Sequence, residues 1–129
     1  MDLKKILTVS GKPGLYKLIS QGRNNVFIIE NLEDKKRTTA FTTSKISFLE
    51  DISIFTDDKD IPLKDVFKAI YEKENGGASI GYKSSGAELE KYFGEVIPSY
   101  DRSKVYVSDI KKVILWYNIL HKLELLDFS

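Results

Sequence analysis

Cysteine is absent from this 129-residue chain, which removes disulfide frameworks, thiol nucleophiles and thiolate metal sites at once. Histidine is nearly absent: His121 stands alone, whereas a zinc site or a hydrolytic triad needs several clustered ligands, or a nucleophile and an orienting acid around the imidazole. Long apolar runs are missing as well. The longest, Val113-Ile114-Leu115-Trp116-Tyr117, falls far short of the roughly 20 residues that cross a bilayer. Near the start, Ile6-Leu7 follows Asp2, Lys4 and Lys5 and is too brief for the apolar core of a secretory signal. A net charge of +1 leaves no global field to draw nucleic acid or an acidic membrane. These absences set the expectation of a cytoplasmic protein with no membrane segment, catalytic residue, metal or cofactor.

What is present is the composition of a globular domain, 42% hydrophobic and 30% charged. Turn signals punctuate the first half at short, even intervals. Gly11-Lys12-Pro13-Gly14, Gln21-Gly22-Arg23-Asn24-Asn25 and Glu33-Asp34-Lys35-Lys36 separate β-type runs at 15–19, 26–30 and 37–41, and a further run lies at 52–56. Lys12-Pro13-Gly14-Leu15 suits a type II turn. Both faces of Leu15-Tyr16-Lys17-Leu18-Ile19 carry apolar groups, which favours a closed core. Asp2 to Leu7 reads as one helical turn with Asp2 as N-cap, and residues 43–50 as a second, capped by Thr43 or Ser44.

From Ile61 the period changes from 2 to 3.6. Asp60 reads as an N-cap, and Leu63, Val66, Phe67 and Ile70 form an amphipathic stripe that Asn75-Gly76-Gly77 terminates. Residues 76–84 have the composition of a linker. Ser85-Gly86-Ala87-Glu88 matches a capping box ahead of Leu89, Tyr92, Phe93 and Val96. A short extended piece at 105–107 precedes Ser108, the expected cap of the longest helix. That helix has one stripe of Ile110, Val113, Ile114, Tyr117 and Leu120 and another of Leu115, Trp116, Ile119 and Leu123. A helix apolar on two sides is buried between layers or holds a partner, a second copy included. The expected fold is therefore α+β: a small antiparallel SH3-like β-barrel over 1–57, then a three-helix region over 58–129.

Candidate chemistry is sparse. His121 fits a helix C-terminus better than a catalytic base. Asp57, Asp58 and Asp60 lack the glycine and distal glutamate of a calcium loop, and the glycine motifs match neither a phosphate loop nor a dinucleotide fingerprint. The one suggestive set is basic: Lys12, Lys17, Arg23, Lys35, Lys36, Arg37 and Lys45 in the β half, which holds nine Lys and Arg against six Asp and Glu up to residue 56. With Tyr16, Phe27 and Phe41 they would make a rim for a nucleic-acid strand or a protein tail; otherwise the aromatics fill the core and the lysines are ordinary surface. Trp116 and Ile119 are the candidate anchors of a partner surface on the last helix.

The strings 7–18 (Leu-Thr-Val-Ser-Gly-Lys-Pro-Gly-Leu-Tyr-Lys-Leu), 49–56 (Leu-Glu-Asp-Ile-Ser-Ile-Phe-Thr) and 105–113 (Val-Tyr-Val-Ser-Asp-Ile-Lys-Lys-Val), with Glu74-Asn75-Gly76-Gly77 and Trp116-Tyr117, resemble a family of short bacterial proteins. That family is described only as a domain of unknown function and is largely confined to one bacterial phylum. The resemblance spans nearly the whole chain and implies no activity. Three readings follow. The first is a non-catalytic adaptor or accessory subunit of a larger assembly, such as transcription or translation machinery. The second is direct DNA or RNA binding through the basic turns. The third is an enzyme, which would require a pocket near His121, Asp101 and Arg102.

Overall fold

The computed structural model describes residues 3–24, 26–41 and 45–126. The proposed caps Asp2, Thr43 and Ser44 lie outside them. The chain divides into two compact units, one running to Ile52 and the other beginning at Ser53, ahead of the break expected after residue 57.

The first unit is a five-stranded antiparallel sheet. Its strands are β1 (Ile6–Val9), β2 (Lys12–Gln21), β3 (Val26–Asn31), β4 (Arg37–Phe41) and β5 (Ile46–Phe48), in the order β4-β3-β2-β1-β5. Barrel closure would need β4 to pair with β5; among the described residues each pairs on one side only. Two segments expected as helical turns contribute strands, although the second ends in one 3-10 turn at Leu49–Asp51. Leu3, Ile6 and Leu7 do fit a helical spacing, but Leu7 and Val9 alternate inward with period 2, and the core rewards that alternation. Ile46 and Phe48 likewise point one way, with Ser47 exposed between them.

The β1–β2 connection is tighter than expected. Ser10 and Gly11 alone link Val9 to its partner Lys12, with Gly11 at φ 84°. The expected turn residues 12–15 thus lie within β2, where Gly14 at φ 91° occupies the register break opposite Leu7 and Val9. In the β3–β4 turn, Asn31 Oδ1 accepts the N–H groups of Glu33 (2.8 Å) and Asp34 (3.2 Å), and Lys35 takes φ 63°. One sheet face gathers Leu7, Val9, Tyr16, Ile29 and Ala40, with Leu18, Phe27, Ile46 and Phe48 packed around them. Burying each such large side chain contributes about 1.5–3 kcal/mol.

In the second unit a short hairpin, β6 (Ser53–Ile54) with β7 (Ile61–Pro62), precedes α1 (Leu63–Lys73), α2 (Gly86–Val96) and α3 (Val107–Lys122). The run at 52–56 therefore does not complete the first sheet. Ile54 pairs with Ile61, and Thr56 bridges to Tyr100. Because β7 holds Ile61 and Pro62 extended, α1 starts at Leu63 with Pro62 as its N-cap instead of Asp60. Leu63, Val66, Phe67 and Ile70 are buried as the periodicity predicts. Ser85 caps α2: its Oγ accepts the Glu88 N–H at 3.2 Å and donates to Glu88 Oε1 at 2.9 Å. α3 starts ahead of Ser108. Tyr106 is its N-cap, and the Tyr106 N–H is satisfied by Asp109 Oδ2 at 3.0 Å. Both stripes of α3 are engaged, with Ile110, Val113, Ile114, Trp116, Tyr117, Ile119 and Leu120 all buried.

Candidate functional site

Strand directions decide which basic residues meet. Lys12 opens β2, Lys35 and Lys36 sit in the β3–β4 turn, and Lys45 leads into β5, so these four share one end of the sheet. Two bonds tie that end together: Leu32 N–H to Leu15 O at 3.0 Å and Ser10 N–H to Lys45 O at 2.9 Å. Arg23 lies in the β2–β3 turn at the opposite end. Lys17 stands mid-strand on the face that carries Glu30 and Arg37, in the row Ile6–Lys17–Glu30–Arg37. Arg37 Nε contacts Glu30 Oε1 at 3.2 Å, so part of its charge is answered inside the sheet. Glu33 and Asp34 further dilute the basic end.

The aromatics form no continuous stacking platform. Tyr16 belongs to the core, and Phe27 packs edge-on to Phe48, centroids 6.5 Å apart. Phe41 alone of the three is open, at 53% exposure. Trp116 and Ile119 are buried, so neither offers an open anchor.

A group of ionisable side chains surrounds the end of α1, where sequence reading expected a linker to begin. Asn75 and Gly76 turn the chain at φ 52° and 83°, and α3 then straps the following residues down. Tyr117 Oη donates to Gly77 O at 2.8 Å. His121 Nε2 lies 3.1 Å from Gly76 O, which requires the proton on Nε2, since a carbonyl only accepts. Asn118 Oδ1 accepts the Ser79 N–H at 2.9 Å, and Asn118 Nδ2 donates to Ile80 O at 3.1 Å. Close by, Tyr92 Oη donates to Glu74 Oε2, and Lys73 Nζ pairs with Glu95 Oε2 at 2.9 Å while lying 5.5 Å over the Tyr92 ring. The hydrogen bond with Glu95 raises the Lys73 pKa and lowers that of Glu95. Burial raises the Tyr92 phenol, and the Glu74 bond raises it further. Burial also pushes the Tyr117 phenol up to about 12. Neither phenol is poised to ionise near neutral pH, as a proton-transfer group would be.

His121, Asp101 and Arg102 are each bonded to other neighbours. His121 is spent on Gly76 and stacks on Tyr117. Asp101 accepts from the Ser103 hydroxyl at 2.6 Å and the Ser103 N–H at 2.9 Å, and these bonds, the hydroxyl's foremost, lower its pKa. Arg102 lies 4.3 Å over the Tyr100 ring and donates to Tyr100 O. Among the described residues no three His, Asp or Glu side chains group closely enough to hold a metal ion, and no helix is long and apolar enough to cross a membrane. Asn118 is the residue that sequence reading missed. Its signal was a lone amide between the apolar positions Tyr117 and Ile119.

Two outcomes follow from the strap. Asn118→Leu, similar in volume, should cost about 1–3 kcal/mol in urea unfolding, because it leaves the Ser79 N–H unpaired and leaves the Ile80 carbonyl with the Ser79 hydroxyl alone. Stability should also fall as pH rises from about 10 through about 12. In that window an unfolded tyrosine with the ordinary value of 10.0 ionises, while Tyr117, held up to about 12, keeps its proton. Thermal unfolding of Tyr117→Phe across this window should show a shallower decline than the unaltered chain.

Two family models match, and they divide the chain where the structure does. One, a domain of unknown function (DUF5606), covers residues 3–49. The other, a domain of unknown function (DUF6852), covers residues 52–120. A protein of Bacteroides vulgatus, solved in solution by NMR in a structural-genomics programme, is 48% identical to this chain. The match spans 98% of this chain and 91% of that one, with a TM-score of 0.82. No curated protein matches. The chain thus belongs to a bacterial family of unknown function, with the DUF6852 domain of unknown function over more than half of its length and the DUF5606 domain of unknown function ahead of it.

Proposed function

We propose that this chain is a non-catalytic interaction module, an adaptor or accessory subunit of a larger cytoplasmic assembly. One contrast carries the reading. The groups suited to chemistry (His121, Tyr92, Tyr117, Glu74, Asp101) are committed to internal hydrogen bonds, whereas β4 leaves four of its five residues exposed at the edge of its sheet. A protein that spends its ionisable groups on structure and keeps a strand edge open is equipped to be held by other chains. Affinity purification at native expression after mild crosslinking should recover reproducible partner proteins. A chain that sediments alone and monomeric in lysate would count decisively against the proposal.

A second reading, direct nucleic-acid binding, is favoured by the convergence of Lys12, Lys35, Lys36 and Lys45 on one end of the sheet. Fluorescence anisotropy with a labelled single strand tests it. Three or four phosphate contacts would make log K fall against log salt with a slope of about −2 to −3, and replacing these lysines with glutamine should flatten that slope. Salt-independent binding, or none at 50 mM salt, removes this reading.

A further inference from the structure

The outer side of β4 has no strand partner among the described residues, and its inner side shows what this strand accepts. In the β3–β4 ladder Val26 faces Phe41, Ile28 faces Thr39 and Glu30 faces Arg37, all on one face of the sheet. Running antiparallel, β3 thus presents an apolar residue to Phe41 and, four positions later, a carboxylate to Arg37. The same two side chains remain exposed. Phe41 is 53% exposed. The Arg37 side chain is 63% exposed and contacts Glu30 through Nε, and a guanidinium carries five N–H donors. Lys35 and Lys36 lie directly beyond Arg37, while the Asp34 carboxylate is already engaged by the Lys36 N–H at 2.8 Å.

We propose that the free edge of β4 binds an extended segment of a partner protein by antiparallel β-pairing, and that it selects an apolar residue placed four positions before an acidic one. Backbone pairing supplies the affinity, and the pair facing Phe41 and Arg37 supplies the choice of sequence. A second copy of β4 fits less well. Arg-Thr-Thr-Ala-Phe has no acid, so antiparallel self-pairing would set Arg37 against Phe41 and leave no carboxylate at the edge. The proposal rests on the interaction-module reading and specifies its surface.

The probe is a fluorescein-labelled peptide with the core Val-Thr-Ile-Thr-Glu flanked by Gly and Ser, titrated against the full chain. It should bind, with amide shift changes centred on Arg37–Phe41. A peptide ending in Lys in place of Glu should bind about tenfold more weakly or worse, a difference of about 1.4 kcal/mol. Methylating alternate backbone nitrogens of the probe should abolish binding. Arg37→Glu should invert the preference toward the Lys peptide. Because that change sets two carboxylates side by side, the double variant Glu30→Gln/Arg37→Glu is measured in parallel, with its fold confirmed by circular dichroism, and should show the same inversion. The proposal is overturned by equal affinity for the two peptides, by shift changes away from β4, by undiminished binding of the methylated probe, or by no binding at about 1 mM, the weak limit near 4 kcal/mol. A dimer that Arg37→Glu dissolves would overturn it in favour of self-pairing. If partners are captured from cells while the peptide fails, the edge proposal falls and the module reading stands.

Discussion

Every backbone N–H and C=O in a folded chain must find a partner or water, and that obligation organises this molecule. It is met in unlike ways along the chain. β1 to β3 meet it by pairing on both sides or, at turns, through side chains such as Asn31. The stretch after α1 has no secondary structure of its own and meets it with side chains lent by α3: Tyr117, Asn118 and His121. Among the described residues β4 and β5 each meet it by strand pairing on one side only, and four of the five residues of β4 are exposed.

This arrangement commits the polar clusters to internal bonds. Glu74, Tyr92, Tyr117 and His121 lie close together, and that juxtaposition would suit catalysis if a phenol or carboxylate were free to exchange protons. Instead the Tyr92 hydroxyl is given to Glu74 and the Tyr117 hydroxyl to Gly77, and burial holds both phenols in their neutral form. Among the described residues no buried side-chain nitrogen or oxygen is left without a hydrogen bond. A network satisfied in this way rigidifies a unit, and what it stabilises here is the helical half that follows the sheet.

The sequence was informative where a local rule and the tertiary structure agree. The 3.6 period located all three helices, the Ser85–Glu88 capping box set the start of α2, and Asn75-Gly76 marked the stop of α1. It was misleading where one pattern fits two structures. Leu3, Ile6 and Leu7 satisfy a helical turn as well as a turn entering a strand, and only pairing with β2 and β5 decides for the strand. Residues 76–80 have the composition of a linker, yet the bonds that fix them come from residues some 40 positions away, and no local pattern reports such a bond. The basic rim was legible as charge but not as geometry. Four lysines converge, Arg23 and Lys17 do not, and Arg37 is partly neutralised by a residue on the next strand. The open edge of β4 was not legible at all, because an edge is defined by what fails to pair with it.

Amide hydrogen exchange on the free chain, followed residue by residue by NMR, tests the central claim most directly. The account predicts slow exchange at the Ser79 amide, which donates to Asn118. Within β4 it predicts an alternation: protected amides facing β3, and intervening amides exchanging at nearly the rate of an open chain. Uniform protection along β4 would mean that its edge is already covered. With free exchange at Ser79, it would contradict the picture of a chain satisfied within and open along β4.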